Sequence, residues 1–177
     1  GGVTAIEITM TVPGAVRVIE TLAGDLPGAV VLGAGTVLDA NTIRDVTAAG
    51  ARFVVAPVCD PELIDVAHEC GVASVPGCFT PSEIFAASKR GADIVKVFPA
   101  GTLGPSFVRD LLAPLPDLKL LPTGGITPDS AVEWITAGAV AVGLGSALVD
   151  GGAVKAGRFD EITRTAHGLI ARINAVR

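Results

Sequence analysis

The sequence is poor in aromatic and charged residues, and these shortages already exclude several classes of protein. Aromatic residues form 4% and charged residues 18% of the 177 positions, and the net charge is −5 at pH 7. A mildly acidic chain without a basic stripe or an interleaved aromatic set is not expected to bind nucleic acid. No uninterrupted apolar run reaches the roughly 18 residues that a membrane-spanning helix needs, so a membrane partner is not expected either.

Cysteine and histidine are also scarce. The three cysteines, Cys59, Cys70 and Cys78, do not have the spacing of zinc ligands. Their odd number, without a visible signal peptide, favours a reducing compartment, and we therefore expect a cytoplasmic protein. His68 and His167 fall in predicted helices without obvious ligand partners, so no metal site is expected.

Half of the residues are hydrophobic, which is too apolar for a disordered chain, and the length suits one domain with a sizeable core. Short apolar runs rich in β-branched residues alternate with amphipathic, alanine-rich stretches, which predicts strands alternating with helices. The predicted strands are Ala5–Ile8, Ala29–Leu32, Phe53–Ala56, Ala73–Val75, Ile94–Phe98, Lys119–Leu121 and Ala139–Leu144. The predicted helices are Pro13–Ala23, Ala40–Ala49, Pro61–Cys70, Pro81–Arg90, Pro105–Leu112, Pro128–Ala137 and Phe159–Val176.

The helix boundaries carry their own signals. Four helices are expected to begin at a Ser, Thr or Asp placed just before a proline, namely at Thr11-Val12-Pro13, Asp60-Pro61, Thr80-Pro81 and Thr127-Pro128. Glycine follows four predicted helix ends, at Gly50, Gly71, Gly91 and Gly138, where a left-handed residue commonly ends a helix.

Alternating strands and helices predict parallel strands with right-handed crossovers. Polar residues near several strand ends, among them Glu7, Thr36, Lys96 and Thr123, favour an α/β fold closed into a (β/α)8 TIM barrel, where such residues face the active site. Seven units are visible in a single domain over residues 1–177. We therefore expect a further βα unit of about 25 residues before Gly1; an atypical seven-stranded or open barrel is the alternative.

Lys96 is the most informative single residue. It lies inside the otherwise apolar run Ile94-Val95-Lys96-Val97-Phe98, and a buried lysine is costly unless its charge is lost or paired. Burial lowers the pKa of an ammonium group, and a neutral amine can attack a ketone to form a Schiff base. The alternative is an edge-strand lysine whose amine reaches water.

Glu7 is the expected proton shuttle. In the alternating segment Ala5-Ile6-Glu7-Ile8-Thr9, Glu7 and Thr9 share one face and the isoleucines share the other. A carboxylate on the inner face, close to an amine, can act as general acid and base. The alternative is a solvent-facing glutamate on a half-exposed strand.

Three glycine-containing segments follow predicted strands. Gly33-Ala34-Gly35-Thr36 is too incomplete for a dinucleotide-binding fingerprint, but Thr36 could bind a substrate carboxylate or hydroxyl. Thr123-Gly124-Gly125 and the loop ending at Ser146 follow the last two predicted strands, where such barrels often bind phosphate. The alternative is that these glycines only allow tight turns.

Several short motifs, taken in order, resemble the 2-dehydro-3-deoxy-phosphogluconate aldolase / 4-hydroxy-2-oxoglutarate aldolase family (KDPG/KHG aldolase) over essentially the whole chain. These motifs are Glu7-Ile8-Thr9, Gly33-Ala34-Gly35-Thr36, Pro76-Gly77, Lys96-Val97-Phe98-Pro99-Ala100 and Pro122-Thr123-Gly124-Gly125-Ile126.

The resemblance implies a class I aldolase in which Lys96 forms the Schiff base and Glu7 is the general acid and base, acting through a water. It further implies that Thr36 contacts the carboxylate end of the substrate, that Pro57 and Phe98 line the pocket, and that Gly124, Gly125 and Ser146 bind phosphate, with Thr123 in the same motif. It implies homotrimeric barrels that need no metal or dissociable cofactor. The implied reaction cleaves 2-dehydro-3-deoxy-6-phosphogluconate to pyruvate and glyceraldehyde 3-phosphate, or 4-hydroxy-2-oxoglutarate to pyruvate and glyoxylate.

Thr11 departs from the family pattern, because well-known members carry a substrate-binding arginine at this position; the expected preceding unit would supply another. Two other functions stay open on the residues alone. One is a different phosphate-binding barrel enzyme, an isomerase or decarboxylase, that uses Lys96 only as a charge. The other is a non-catalytic trimeric scaffold.

Overall fold

The computed structural model describes residues 1–177 and contains seven strands, eight α-helices and one 3-10 helix. The strands are β1 (Ala5–Thr9), β2 (Val31–Gly35), β3 (Phe53–Val55), β4 (Ala73–Val75), β5 (Gly77–Cys78), β6 (Val95–Val97) and β7 (Leu120–Pro122). The helices are α1 (Ala15–Asp25), α2 (Ala40–Ala48), α3 (Pro61–Glu69), α4 (Pro81–Arg90), α5 (Pro105–Leu112), α6 (Ala131–Thr136), α7 (Gly151–Lys155) and α8 (Phe159–Asn174), and the 3-10 helix is Ala100–Thr102. None of these helices has both the length and the apolar content needed to cross a membrane.

The chain divides into two compact units, with the boundary inside β6. The N-terminal unit is Thr4–Lys96, and the C-terminal unit is Val97–Arg177 together with Gly1–Val3. Parallel strands joined by helices form the N-terminal unit, and α6, α7 and α8 follow β7 in the C-terminal unit. The predicted α/β class is therefore confirmed.

A parallel sheet in the order β1-β2-β3-β4 forms the centre of the N-terminal unit. Ala5 pairs with Val31 at one end of the β1–β2 ladder and Thr9 with Gly35 at the other. Beyond this sheet, the backbone N–H of Lys96 donates to the carbonyl of Pro76 at 2.9 Å. This bond places Lys96 beside the residue that precedes β5.

The core of the N-terminal unit lies between the sheet and its helices. Ile8 packs against this core, so strand alternation places Glu7 and Thr9 on the other face of β1, as predicted. The buried cluster consists of Ile19, Leu32, Ala34, Val37, Ile43, Val46, Ala51, Val54, Leu63, Val66, Ala67 and Val72.

The C-terminal unit is mainly helical, with α6 packed against α5 and α8 and with α7 packed against α8. Trp134 of α6 is buried in this unit. The backbone N–H of Thr123 donates to the carbonyl of Val97 at 3.0 Å, so the end of β7 lies beside the end of β6.

Two of the four predicted helix starts are confirmed. Asp60 caps α3, and Thr80 caps α4 in a capping box with Glu83, each with a proline in the first helical turn. The other two were wrong. The Thr11 hydroxyl hydrogen-bonds that of Thr9 at 2.7 Å, and α1 begins after Gly14.

The start expected at Thr127 is displaced by a turn. Thr127 and Ser130 hydrogen-bond each other reciprocally, from Thr127 N to Ser130 Oγ at 3.0 Å and from Ser130 N to Thr127 Oγ1 at 3.2 Å. These bonds form a turn ahead of α6, which therefore begins at Ala131. The glycines expected to end helices all have positive φ, as at Gly91, where φ is 105°.

The predicted strand Ala139–Leu144 was wrong, because this segment makes only an isolated parallel bridge between Gly143 and Thr123. Val140 N donates to Leu120 O at 3.0 Å, and Gly143 N donates to Pro122 O at 2.9 Å. The two donors are therefore three residues apart in this segment, while their acceptors in β7 are two residues apart. An extra residue of this kind interrupts a regular ladder. The short elements β5, α7 and the 3-10 helix had no counterpart among the predictions.

Candidate active site

Lys96 is the only charged side chain that the fold buries, with 6% of its surface exposed. It occupies the middle of β6, between the buried Val95 and Val97. Burial lowers the pKa of its ammonium group, and the negative charge of Glu7 partly opposes that effect. The amine therefore loses its proton more easily than an ordinary lysine, which is the condition for nucleophilic attack.

Glu7, on β1, carries the opposite perturbation. Desolvation raises the pKa of its carboxyl, and the positive charge of Lys96 partly lowers it again. The residue keeps contact with solvent, but its carboxyl end lies against β2: a Cβ built on Gly35 would stand 2.7 Å from Glu7 Cδ. One exposed side and one packed side explain how an exposed residue can have a raised carboxyl pKa.

Thr36 follows β2 directly and has an unusual backbone conformation. Its φ of 58° is the only positive value at a non-glycine residue, and β-branched residues rarely adopt this region. Strained backbone of this kind concentrates at functional sites. Thr36 was predicted to bind substrate because of its hydroxyl, and its backbone conformation is a second feature, independent of that prediction.

Pro57 is half-buried and follows β3. A Cβ built on Gly77 would stand 2.5 Å from the carbonyl carbon of Pro57 and 2.7 Å from the carbonyl oxygen of Ala56. Gly77 therefore lets the start of β5 pass directly against the backbone at the end of β3. Glu7, Thr36, Pro57 and Lys96 all belong to the N-terminal unit.

The remaining predicted residues belong to the C-terminal unit, where a turn follows β7. Gly124 and Gly125 have φ values of 85° and 80°. The turn is fixed to the 3-10 helix by two bonds of 2.8 Å, from Ala100 N to Thr123 O and from Gly101 N to Gly124 O.

Two close approaches around this turn depend on glycine. A Cβ on Gly124 would lie 3.0 Å from Cε2 of the Phe98 ring, and one on Gly101 would lie 3.1 Å from the Cα of Gly125. Phe98, Thr123, Gly124 and Gly125 are thus brought together. Gly35, Gly77 and Gly101 were missed as supporting residues, and their only signal was their place inside or beside the motifs already singled out.

Ser146 is exposed and lies in a turn ahead of α7, where its hydroxyl forms no hydrogen bond with the protein. The segment that leads to Ser146 passes Thr123, because Gly143 and Thr123 form a parallel bridge. A Cβ built on Gly143 would stand 3.0 Å from Thr123 Cγ2.

No three His, Cys, Asp or Glu side chains are grouped as they would be to hold a metal ion.

The family model for "KDPG and KHG aldolase" matches residues 1–165. The chain belongs to this family. It is therefore a class I aldolase, a lyase whose reaction proceeds through a Schiff base with pyruvate.

Relatives named for two different sugar acids are about equally similar to this chain. The 2-dehydro-3-deoxy-phosphogluconate aldolase of Pseudoalteromonas atlantica is 35% identical over 97% of this chain and 80% of the relative. The 2-dehydro-3-deoxy-6-phosphogalactonate aldolase of Escherichia coli is 33% identical over 99% of this chain and 83% of the relative.

Among solved structures, KDPG aldolase from Legionella pneumophila, with pyruvate captured as a covalent carbinolamine, matches with a TM-score of 0.85 at 31% identity. The match covers 93% of this chain and 80% of the other. The chain thus has the α/β fold of a KDPG aldolase. Closure into an eight-stranded barrel and the expected preceding unit stay predictions from the sequence.

Proposed function

We propose that this aldolase cleaves 2-dehydro-3-deoxy-6-phosphogluconate to pyruvate and glyceraldehyde 3-phosphate through a Schiff base on Lys96. The observation that carries the proposal is the burial of Lys96 inside β6, with its ammonium pKa lowered by that burial and Glu7 as its electrostatic partner. A charge that is costly to bury is retained where its chemistry is needed.

The neutral Nζ of Lys96 attacks the C2 ketone of the substrate and forms a carbinolamine. Loss of water gives an iminium, which accepts the electron pair of the C3–C4 bond as that bond breaks. The aldehyde leaves, and the pyruvate enamine takes a proton at C3. Water then hydrolyses the iminium, which releases pyruvate and the free amine.

Glu7 moves the protons in this scheme. Its raised carboxyl pKa lets it hold a proton for the departing water of the carbinolamine. Once the iminium forms, a positive charge next to the carboxyl favours the carboxylate, which then accepts the C4 hydroxyl proton through a water. The same proton returns to C3 of the enamine.

The other proposed residues bind the two ends of the substrate. Thr36 contacts the C1 carboxylate, and Pro57 and Phe98 form pocket walls. Thr123, Gly124, Gly125 and Ser146 bind the phosphate. The backbone N–H groups of Gly124 and Gly125 form no hydrogen bond with the protein backbone, which supports this role, because such groups in glycine turns bind anions.

The galactonate-configured substrate is the second candidate, since a relative with that name is 33% identical to this chain. Thr11 stands where well-known family members carry a substrate-binding arginine, so a substrate contact at this position would come from a threonine. Cleavage of 4-hydroxy-2-oxoglutarate to pyruvate and glyoxylate is a further proposed activity. Rates with all three substrates would rank them directly.

A cytoplasmic homotrimer without a metal or a dissociable cofactor is the assembly that we propose. Light scattering coupled to gel filtration tests the trimer. Activity that persists after treatment with a strong chelator tests the absence of a metal requirement.

The proposed function is tested by trapping the Schiff base. Borohydride added with pyruvate should attach one reduced pyruvyl group to the protein, and peptide mass spectrometry should locate it on Lys96. Lys96→Ala should lose both the adduct and turnover. Wild-type protein without an adduct, or with an adduct on another lysine such as the exposed Lys119, would refute the proposal.

A further inference from the structure

We propose that Gly35 is a positioning residue for catalysis. Because glycine has no side chain, position 35 leaves the space in which the Glu7 carboxylate lies. This inference rests on the proposed function, since it assumes that Glu7 transfers protons in the aldolase reaction. It adds a residue on a neighbouring strand that acts only through Glu7.

The register between β1 and β2 explains why the Glu7 side chain lies over Gly35. Glu7 pairs with Gly33, and Thr9 pairs with Gly35, so Gly35 is the diagonal neighbour of Glu7. A long side chain reaches such a neighbour across parallel strands. The three atoms nearest to a Cβ built on Gly35 all belong to Glu7, with Cδ at 2.7 Å, Cγ at 3.1 Å and Oε1 closest of all.

The backbone does not require glycine at position 35. Gly35 ends the regular strand β2 and is absent from the residues with positive φ, unlike Gly124 and Gly125. An alanine would therefore fit the main chain, and the three atoms nearest to its Cβ would all belong to the Glu7 side chain. The contact that an added side chain would meet first at this position is the Glu7 carboxylate.

Gly33, on the same face of β2, offers a matched comparison. The three atoms nearest to a Cβ there all belong to the ring of Phe53. A packed ring yields less readily than the free end of a glutamate. The same added methyl should therefore disturb packing at position 33 and move a proton-transfer group at position 35.

These two positions give opposite expectations for one substitution. Gly35→Ala should lower kcat by at least about tenfold, because displacement of a catalytic group by about 1 Å can cost a hundredfold in rate. KM and Tm should change little. Gly33→Ala should lower Tm by about 5 °C or more through overpacking, with kcat per folded active site unchanged.

The decisive test is a double-mutant cycle with Glu7→Asp, measured by steady-state kinetics on the full chain. The shorter aspartate should not reach the space above residue 35, so adding Gly35→Ala to Glu7→Asp should lower kcat by less than about twofold. Non-additivity of this kind identifies residues that act through each other.

The outcomes separate this inference from the function on which it rests. Wild-type protein that gives no trapped pyruvyl adduct would refute the proposed function before any variant is compared. If the adduct forms, the positioning role alone fails in two cases: Gly35→Ala keeps the wild-type kcat, or it loses as much in the Glu7→Asp background as in the wild type.

Discussion

Lys96 and Glu7 each weaken the effect of burial on the other. Burial lowers the pKa of the Lys96 ammonium and raises that of the Glu7 carboxyl, while their mutual attraction shifts both pKa values back towards their ordinary range. Burial is the larger effect for each group. The pair therefore lies closer to proton exchange than two ordinary surface groups would, which suits an amine that must alternate between nucleophile and iminium.

Lys96→Met is expected to raise the free energy of unfolding at neutral pH. Between the lowered pKa of folded Lys96 and 10.5, the unfolded chain binds a proton that the folded chain does not, so wild-type stability rises with pH in that window. The variant lacks this rise. Its advantage over the wild type should be greatest at the neutral end and should shrink as the pH approaches 10.5.

Urea unfolding at several pH values between 7 and 10.5 measures this difference. Lys119→Met is the control, because Lys119 is exposed and its replacement should change stability by the same small amount at every pH. A Lys96→Met difference that does not depend on pH would contradict a lowered pKa for the buried amine.

The first four strands and the position of Lys96 inside a later strand were both readable from sequence, for the same reason. Apolar runs of β-branched residues define strands, and alternation within a strand assigns each side chain to a face. A lysine inside Ile94–Phe98 is conspicuous against that pattern. The failed prediction, Ala139–Leu144, has the same apolar composition, but the hydrogen-bond register that decides a ladder is not visible in composition.

Gly35 and Thr36 show where sequence reasoning ends at the site itself. From the sequence alone, Gly35 resembles a glycine that allows a turn. The β1–β2 register shows that the Glu7 side chain lies over it. Thr36 was selected for its hydroxyl, yet β-branching argues against the left-handed conformation that it adopts. The contact between Glu7 and Gly35 depends on the pairing of two strands, and the conformation of Thr36 is one that its residue type does not predict.

Thr36→Gly is expected to stabilise the protein while weakening substrate binding. A non-glycine residue in the left-handed region costs about 1 kcal/mol or more, and glycine removes that strain at φ 58°. The lost hydroxyl should raise KM. Thr36→Val is the matched control, since it keeps the β-branch and the strain but also lacks the hydroxyl.

Both Thr36 variants should therefore raise KM, and only Thr36→Gly should raise the free energy of unfolding, by about 1 kcal/mol. Steady-state kinetics and urea unfolding measure the two effects. Equal stability of the two variants would show that the conformation at Thr36 carries no strain, and an unchanged KM would remove the residue from the binding site.

Cys78 is expected to resist alkylation at neutral pH. Burial raises the pKa of its thiol to about 12, with the neighbouring Cys59 adding to the shift, and the thiolate is the reactive form. Iodoacetamide at pH 7.5, followed by peptide mass spectrometry over time, should label Cys78 after Cys70, which is only half-buried. Labelling of Cys78 first would contradict its protonated, buried state.

Gly101→Ala is expected to weaken binding of phosphorylated substrate selectively. The added Cβ would lie 3.1 Å from Gly125 Cα and 3.2 Å from Gly124 O, and both are backbone atoms that can move only with the turn. KM for the phosphorylated sugar acid should rise by about tenfold, because the turn proposed to hold the phosphate moves. Trapping of pyruvate, which has no phosphate, should not change.

Gly168→Ala in α8, where a Cβ meets nothing within 4 Å, is the control and should leave both measurements unchanged. An equal loss of pyruvate trapping in Gly101→Ala would show that the substitution disturbs the Schiff-base centre as well, and the turn would lose its separate role in phosphate binding.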